Sequence, residues 1–437
     1  MTDSTAGFRF WGIEYDDNGG PVGAGGRQLE AELASSGVTD LFIISHGWNN
    51  NAAMARLLYD RFFEQVAEVL GGPRDTIGVA GITWPSMQWP DEELPGARFG
   101  GAAGFDDSPV APAADDAAIV AALRDVYPDP GAQAALDEIQ ELLERQPSEE
   151  AELERFQDLL GVLAAGADVP DAENDGGEAI MLEAPATVVF DEAADLDPED
   201  FQGGAAAAGD SGFSRLWSGA RQALRQTTYW NMKKRAGIVG STGVTSLIER
   251  LAKASPSLRI HLIGHSFGAR LVSYAVAGLS DEVLADGSPV KSVTLLQGAF
   301  SHFAFAASLP HDQGRSGGLA GAAKHIDGPL LVTFTQHDRA VGYLYPRASI
   351  LGRDDAAATE DPMYRWGALG HDGAQNSDAT TMTVKPAKES YGFGAGQIHN
   401  LDANDVIVAG EGASGAHSDL FHPELAWAVL DAAKISA

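Results

Sequence analysis

The stretch that most constrains this chain is Leu258-Arg259-Ile260-His261-Leu262-Ile263, which runs into Gly264-His265-Ser266-Phe267-Gly268 and then Ala269-Arg270-Leu271-Val272-Ser273-Tyr274-Ala275. Few folds accommodate a β-rich run that passes straight into a helix through G-x-S-x-G. The reversal is so tight that small residues must flank the serine, whose hydroxyl is lifted clear of the backbone at the end of a sheet. Gly264 and Gly268 supply those flanks, and Ser266 becomes a candidate nucleophile. The alternative is a plain strand-to-helix turn whose serine caps the helix. With 51 glycines in 437 residues the pattern alone is weak, so its setting carries the reading.

The rest of the chain alternates in the same way. Phe8 to Tyr15 reads as an edge-like strand, Leu41-Phe42-Ile43-Ile44 as a strand buried on both faces, and Thr76 to Trp84 as the next. Asn49 and Asn50 are N-cap candidates for a helix reaching Leu70. Phe213–Arg225 and Tyr229–Leu251 read as two helices, the second weakened at Gly237-Ile238-Val239-Gly240. Strands follow at Val290–Leu296 and Leu330–Thr335, with a weaker one at Val406–Ala409, and an amphipathic helix closes the chain from Pro423 to Lys434. Strands alternating with helices imply a mostly parallel central sheet flanked by helices.

Residues 91–210 break this rhythm, being rich in Ala, Asp, Glu, Gly and Pro. Helical patterns span Asp115–Val126 and Gly131 to about Leu163, interrupted near Pro147, while Asp171–Glu178 and Asp195–Asp200 read as loops or disorder. The division expected is a catalytic core of residues 1–90 and 211–437 with an acidic, largely helical or partly disordered insertion at 91–210. That insertion is either a cap over the site or a loose linker.

Charge excludes some functions. Lys and Arg total 29 against 62 Asp and Glu, a formal net charge of −33, which disfavours nucleic acid and anionic membrane surfaces as partners. The absence of cysteine removes disulfides, thiolate metal sites and cysteine nucleophiles. No run approaches the roughly 18 apolar residues of a membrane span, and Met1–Gly7 lacks the pattern of a signal peptide, so a cytoplasmic protein is expected.

A serine hydroxyl needs a histidine base and usually a carboxylate to orient it. Asp338, just past the Leu330–Thr335 strand, is the candidate acid; pairing with Arg339 or capping the next segment is its bland alternative. His417, in Gly415-Ala416-His417-Ser418-Asp419, is the candidate base, with His422 before Pro423 as the alternative. His261 lies within a strand, His265 is the variable residue of the turn, and no histidine has metal-ligand spacing, so no metal or cofactor is expected. The oxyanion donors expected are the backbone N–H groups of Phe267 and of Trp48, in the Ser45-His46-Gly47-Trp48 turn. Trp48, Trp84, Trp89, Phe267 and Phe300 are candidates for an apolar acyl pocket.

LFIISHGWNN (Leu41–Asn50), GITWPS (Gly81–Ser86), HLIGHSFGARLV (His261–Val272) and TFTQHDRA (Thr333–Ala340), with a C-terminal histidine, together resemble a family of bacterial serine hydrolases of the α/β-hydrolase superfamily. The resemblance covers the core and implies the α/β-hydrolase fold, with Ser266 as nucleophile, Asp338 as acid and His417 as base. Two features depart from it: a glycine precedes His265 where alanine is frequent, and the insertion is unusually long. The function expected is cleavage of a small-molecule carboxylic ester through an acyl-enzyme. A thioesterase, amidase or acyltransferase with the same three residues is the enzymatic alternative, and a non-catalytic binding or scaffold protein is the other.

Overall fold

The C-terminal ends of four neighbouring strands converge on one edge of a ten-stranded, mostly parallel sheet, and everything else positions that edge. The computed structural model describes residues 3–87, 116–164, 184–194, 212–310, 312–344, 367–410 and 415–436. The strands are β1 (Ser4–Thr5), β2 (Phe8–Tyr15), β3 (Pro21–Val22), β4 (Asp40–Ser45), β5 (Ile77–Thr83), β6 (Arg259–His265), β7 (Val290–Leu296), β8 (Leu330–Phe334), β9 (Thr380–Thr383) and β10 (Ile398–Asp402). Their order is β1-β2-β5-β4-β6-β7-β8-β10-β9, with β3 beside β2. Among the described residues only β1 and β3 pair antiparallel, each with two residues on the side of β2 away from β5.

β4 shows why the sheet must be covered on both faces, since all six of its residues are buried. Alternate side chains feed two cores. Leu41 and Ile43 join the helices at Gly25–Ser36, Thr245–Ala254 and Phe267–Ala277, whereas Phe42 and Ile44 join those at Ala52–Leu70 and Pro423–Ala432. Each fully buried Leu, Ile or Phe contributes roughly 1.5–3 kcal/mol.

Register sets the functional edge. Ser45 pairs with Gly264 and Ile82, and His265 pairs with Leu296, so the residues that follow β4, β6 and β7 emerge side by side. In parallel α/β sheets this carboxyl edge is where ligands bind.

Several local expectations need correction. The Ala52–Leu70 helix is capped by Asn51, whose side chain accepts the Met54 N–H, and not by Asn49 or Asn50. Asn49 takes a left-handed φ of 60° and Asn50 turns back onto the Trp48 carbonyl, because the preceding turn claims both. Phe213–Arg225 and Tyr229–Leu251 are not separate: one helix runs Gly212–Ile238, and a π-helical turn at Val239–Val244 joins it to Thr245–Ala254. Val406–Ala409 is not a strand. Val406 and Ile407 donate back to Ala403, and Val408 and Ala409 donate to the Asp419 carboxylate, leaving the ladder position to Ile398–Asp402.

Within the acidic segment, helices occupy Asp116–Val126, Pro130–Arg145, Glu150–Ala164 and Ala186–Ala194; the loops expected at Asp171–Glu178 and Asp195–Asp200 lie outside the described residues. Glu150–Ala164 and Ala186–Ala194 pack on Gly212–Ile238, and Asp116–Val126 and Pro130–Arg145 pack on each other. Phe156 sits edge-on to both Phe190 and Trp217, and Arg221 pairs with Asp116 at 2.7 Å. The second half of the same helix reaches the sheet layer: the Lys233 carbonyl accepts from Arg270 Nε, and Arg235 Nη1 donates to the Pro85 carbonyl. One helix thus belongs to both layers. Among the described residues, none of the helices is long and apolar enough to cross a membrane.

Candidate active site

Ser266 sits between β6 and the Phe267–Ala277 helix with φ 57° and ψ −122°, a conformation L-residues rarely take. The surroundings hold it there: its N–H donates to the Leu296 carbonyl at 3.1 Å, and its own carbonyl accepts from Ala269 and Ala299. The flanking glycines are required by contact. A Cβ on Gly264 would lie 2.5 Å from the Ala269 nitrogen, and one on Gly268 would lie 2.5 Å from the His46 carbonyl oxygen.

The turn after β4 is pressed against the same serine. A Cβ on Gly47 would stand 2.5 Å from Ser266 Cβ and 3.0 Å from its Oγ, so only glycine fits. His46, fully buried, builds this turn. Its Nδ1–H donates to the Gly47 carbonyl at 2.8 Å while its Nε2 accepts the Trp84 N–H at 3.3 Å, one consistent neutral tautomer. Burial outweighs the Gly47 bond and pushes the His46 pKa down to about 4. Because the Gly47–Trp48 peptide is trans, holding its C=O toward His46 turns the Trp48 N–H the other way. The Trp84 ring stacks on His46 at 5.5 Å and its Nε1 donates to the His46 carbonyl; Ser86 Oγ donates to the Asn50 carbonyl. The His-Gly-Trp-Asn-Asn and Trp-Pro-Ser segments are therefore one hydrogen-bonded unit.

Asp338 and His417 are brought together. The Asp338 carboxylate is fully buried, and its Oδ2 lies 2.8 Å from His417 Nδ1. An isolated antiparallel bridge sets this meeting: Asp338 faces Gly415, and the Ala416 N–H donates to the His337 carbonyl at 2.9 Å. With Nδ1–H donated to the carboxylate, Nε2 of His417 is left as the basic nitrogen. The alternative base, His422, is not brought to Asp338. Its Nε2 pairs with Asp419 Oδ1 at 2.8 Å, a hydrogen bond that raises its pKa against the opposing effect of burial.

His265 had no role in the sequence beyond filling the variable position of the turn. Its Nε2–H donates to the His417 carbonyl at 3.0 Å, and the two rings sit 4.9 Å apart. Burial first, then the neighbouring His417, push its pKa down to about 3, so His265 is a neutral clamp between the serine turn and the His417 loop. Gln297 was also missed. It directly follows β7 in a left-handed conformation (φ 46°) and donates to Asp338 Oδ2 at 2.9 Å. Nothing in the local sequence distinguishes such a glutamine from any other.

The ring of Trp48 lies 5.8 Å from that of Tyr229 and 6.2 Å from that of Phe267, an aromatic wall beside the turn. Trp84 is buried against His46, and Phe300 is fully buried. Trp89 lies outside the described residues. Another cluster lies nearby, where Asp372 accepts from the buried His302 Nδ1 at 2.9 Å and from the half-buried His371 Nδ1 at 2.8 Å. Among the described residues, no group of three or more His, Asp or Glu side chains is arranged to hold a metal ion.

Comparisons of the chain with protein-family models, with curated proteins and with solved structures found no match.

Proposed function

We propose that this protein is a serine hydrolase of the α/β-hydrolase fold that cleaves a carboxylic ester through an acyl-enzyme. The observation that carries the reading is the fastening of the Asp338–His417 pair, through His265, to the strained turn that bears Ser266. A structural Asp–His pair has no need of that attachment.

In this reading Ser266 Oγ attacks the ester carbonyl carbon while His417 Nε2 takes its proton. Asp338, bonded to Nδ1–H, keeps the imidazole in the right tautomer and stabilises the imidazolium. The tetrahedral oxyanion is held by the N–H groups of Phe267 and Trp48, each contributing about 3 kcal/mol to transition-state stabilisation. Phe267 also opens an 11-residue helix, whose N-terminal dipole favours negative charge there. Collapse expels the alkoxide, which takes the proton from His417. Water, deprotonated by the same nitrogen, then attacks the acyl-enzyme and regenerates Ser266. The Trp48–Tyr229–Phe267 wall favours an apolar acyl or alcohol group.

A fluorophosphonate probe tests the reading on the full chain. Covalent labelling at Ser266, together with loss of both labelling and p-nitrophenyl ester turnover in Ser266→Ala, is the expected result. A folded wild-type protein that neither labels nor turns over esters overturns it.

A further inference from the structure

Gln297 directly follows β7, next to Leu296, whose carbonyl accepts the Ser266 N–H. It is fully buried. Its side-chain amide has a partner for every group: Nε2 donates to Asp338 Oδ2 and to the Gly370 carbonyl, both at 2.9 Å, and Oε1 accepts from Thr333 Oγ1 at 2.9 Å. The backbone N–H of Gln297 donates to the same hydroxyl at 3.1 Å. The two groups facing Nε2 can only accept and the group facing Oε1 can donate, so the amide has one orientation. Gly370 is itself clamped, donating to the Gly298 carbonyl and accepting from the Thr335 N–H.

The consequence falls on the carboxylate. Asp338 Oδ2 takes Gln297 Nε2–H and His417 Nδ1–H together, while Oδ1 takes the Val341 N–H at 3.2 Å. Without the glutamine, Oδ2 keeps the His417 bond and Oδ1 the Val341 N–H, and less resists the rotation about Cβ–Cγ that carries Oδ2 away from the imidazole. A left-handed φ at a non-glycine residue persists only where its surroundings over-determine it, as this four-way network does.

We propose that Gln297 is a positioning residue for the reaction inferred above: its amide fixes the plane of the Asp338 carboxylate, and thereby the orientation of His417. The inference rests on the hydrolase reading, and its test separates the two. Gln297→Met keeps length and removes both donors and the acceptor; Gln297→Glu keeps shape and sets a second carboxylate beside the first. With p-nitrophenyl butyrate, kcat should fall by up to about 10²-fold in both, with KM within about twofold, since only the alignment of reacting groups changes. Unchanged kcat in either folded variant overturns the proposal, as does an equal rise in KM.

A second measurement needs neither variant to fold. In the wild-type protein the Gln297 side-chain amide protons should resist exchange and show a nuclear Overhauser effect to a downfield His417 Nδ1 proton. Fast exchange without that effect overturns the proposal. A wild-type chain that labels with no fluorophosphonate defeats the hydrolase reading alone, and the resonance experiment then decides whether Gln297 holds Asp338 on His417.

Discussion

Asp338–His417 and Asp419–His422 are the same chemical pair at the same 2.8 Å separation, with both histidines in one loop. Their settings differ. Asp338 is wholly buried and shared with Gln297, and His417 is clamped by His265 to the serine turn. Asp419 instead takes the Val408 and Ala409 N–H groups, which makes it a staple for its own loop, with His422 adding to that staple from the start of the last helix. Asp40–His261 and Asp372 with His302 and His371 repeat the pairing elsewhere. A carboxylate beside an imidazole is thus a recurrent way to satisfy buried polar groups. What sets one pair apart is the backbone that fastens it to Ser266.

The largest expected effect breaks or sustains that contrast directly. On the hydrolase reading proposed above, Asp338→Asn should lower kcat by about 10⁴-fold, because an amide fails to hold His417 in its tautomer or to stabilise the imidazolium. Asp419→Asn should leave kcat within about threefold and cost at most about 1 kcal/mol of stability, as partly exposed pairs do. Esterase kinetics and urea unfolding measure both. Equal losses in the two variants would erase the distinction.

The Asp372 cluster sharpens the contrast from the stability side. Burial opposes ionisation of Asp372, but the hydrogen bonds from His302 and His371 outweigh it and hold the pKa down to about 2, against an ordinary 3.8. A carboxyl depressed on folding contributes stability that is complete above about pH 4 and lost as pH falls through about 2. At about 1.4 kcal/mol per pH unit of separation, the contribution is about 2 kcal/mol. Urea melts should show Asp372→Asn less stable by about that amount at pH 7, with the gap closing between pH 4 and 2. A gap that persists at pH 2 would mean that the loss comes from packing.

The smallest effect concerns the clamp. His265→Leu removes one hydrogen bond to the His417 carbonyl, about 1 kcal/mol, so kcat should drop about fivefold. The variant also changes the pH dependence of stability. A histidine whose folded pKa lies near 3 is neutral in both states above about 6.5, and the wild type loses stability as pH falls from 6.5 toward 3, where only the unfolded chain gains the proton. Thermal melts across that window should be flatter for His265→Leu. An unchanged slope would show that His265 is protonated in the folded protein.

The elements legible in the sequence are those whose signal is local. β2 and β7 match their apolar patterns residue for residue, and the pause at Pro147 appears as the break between Pro130–Arg145 and Glu150–Ala164. β10 was hidden because its Ile-His-Asn-Leu-Asp sequence reads as polar. His399 and Asn400 are buried because Thr380 Oγ1, the Gly394 N–H and the Ala374 backbone meet them. Asn51 took the cap over Asn49 and Asn50 because the tight turn against Ser266 used those two for itself. Gln297 and the working role of His265 carried no local mark, since each acts on a partner far away in the chain.

What the sequence determined by itself is the alternation of strand and helix, and a serine confined between two glycines at a strand-to-helix reversal. Those follow from steric limits and side-chain periodicity over a few residues, which the order of amino acids states outright. Which aspartate and which histidine meet was decided by the tertiary structure. Asp338 and His417 are 79 residues apart, and Gln297 lies 41 residues from Asp338. Contacts at such separations exist only once parallel pairing has set the ends of β4, β6, β7 and β8 side by side, and no local pattern encodes that register.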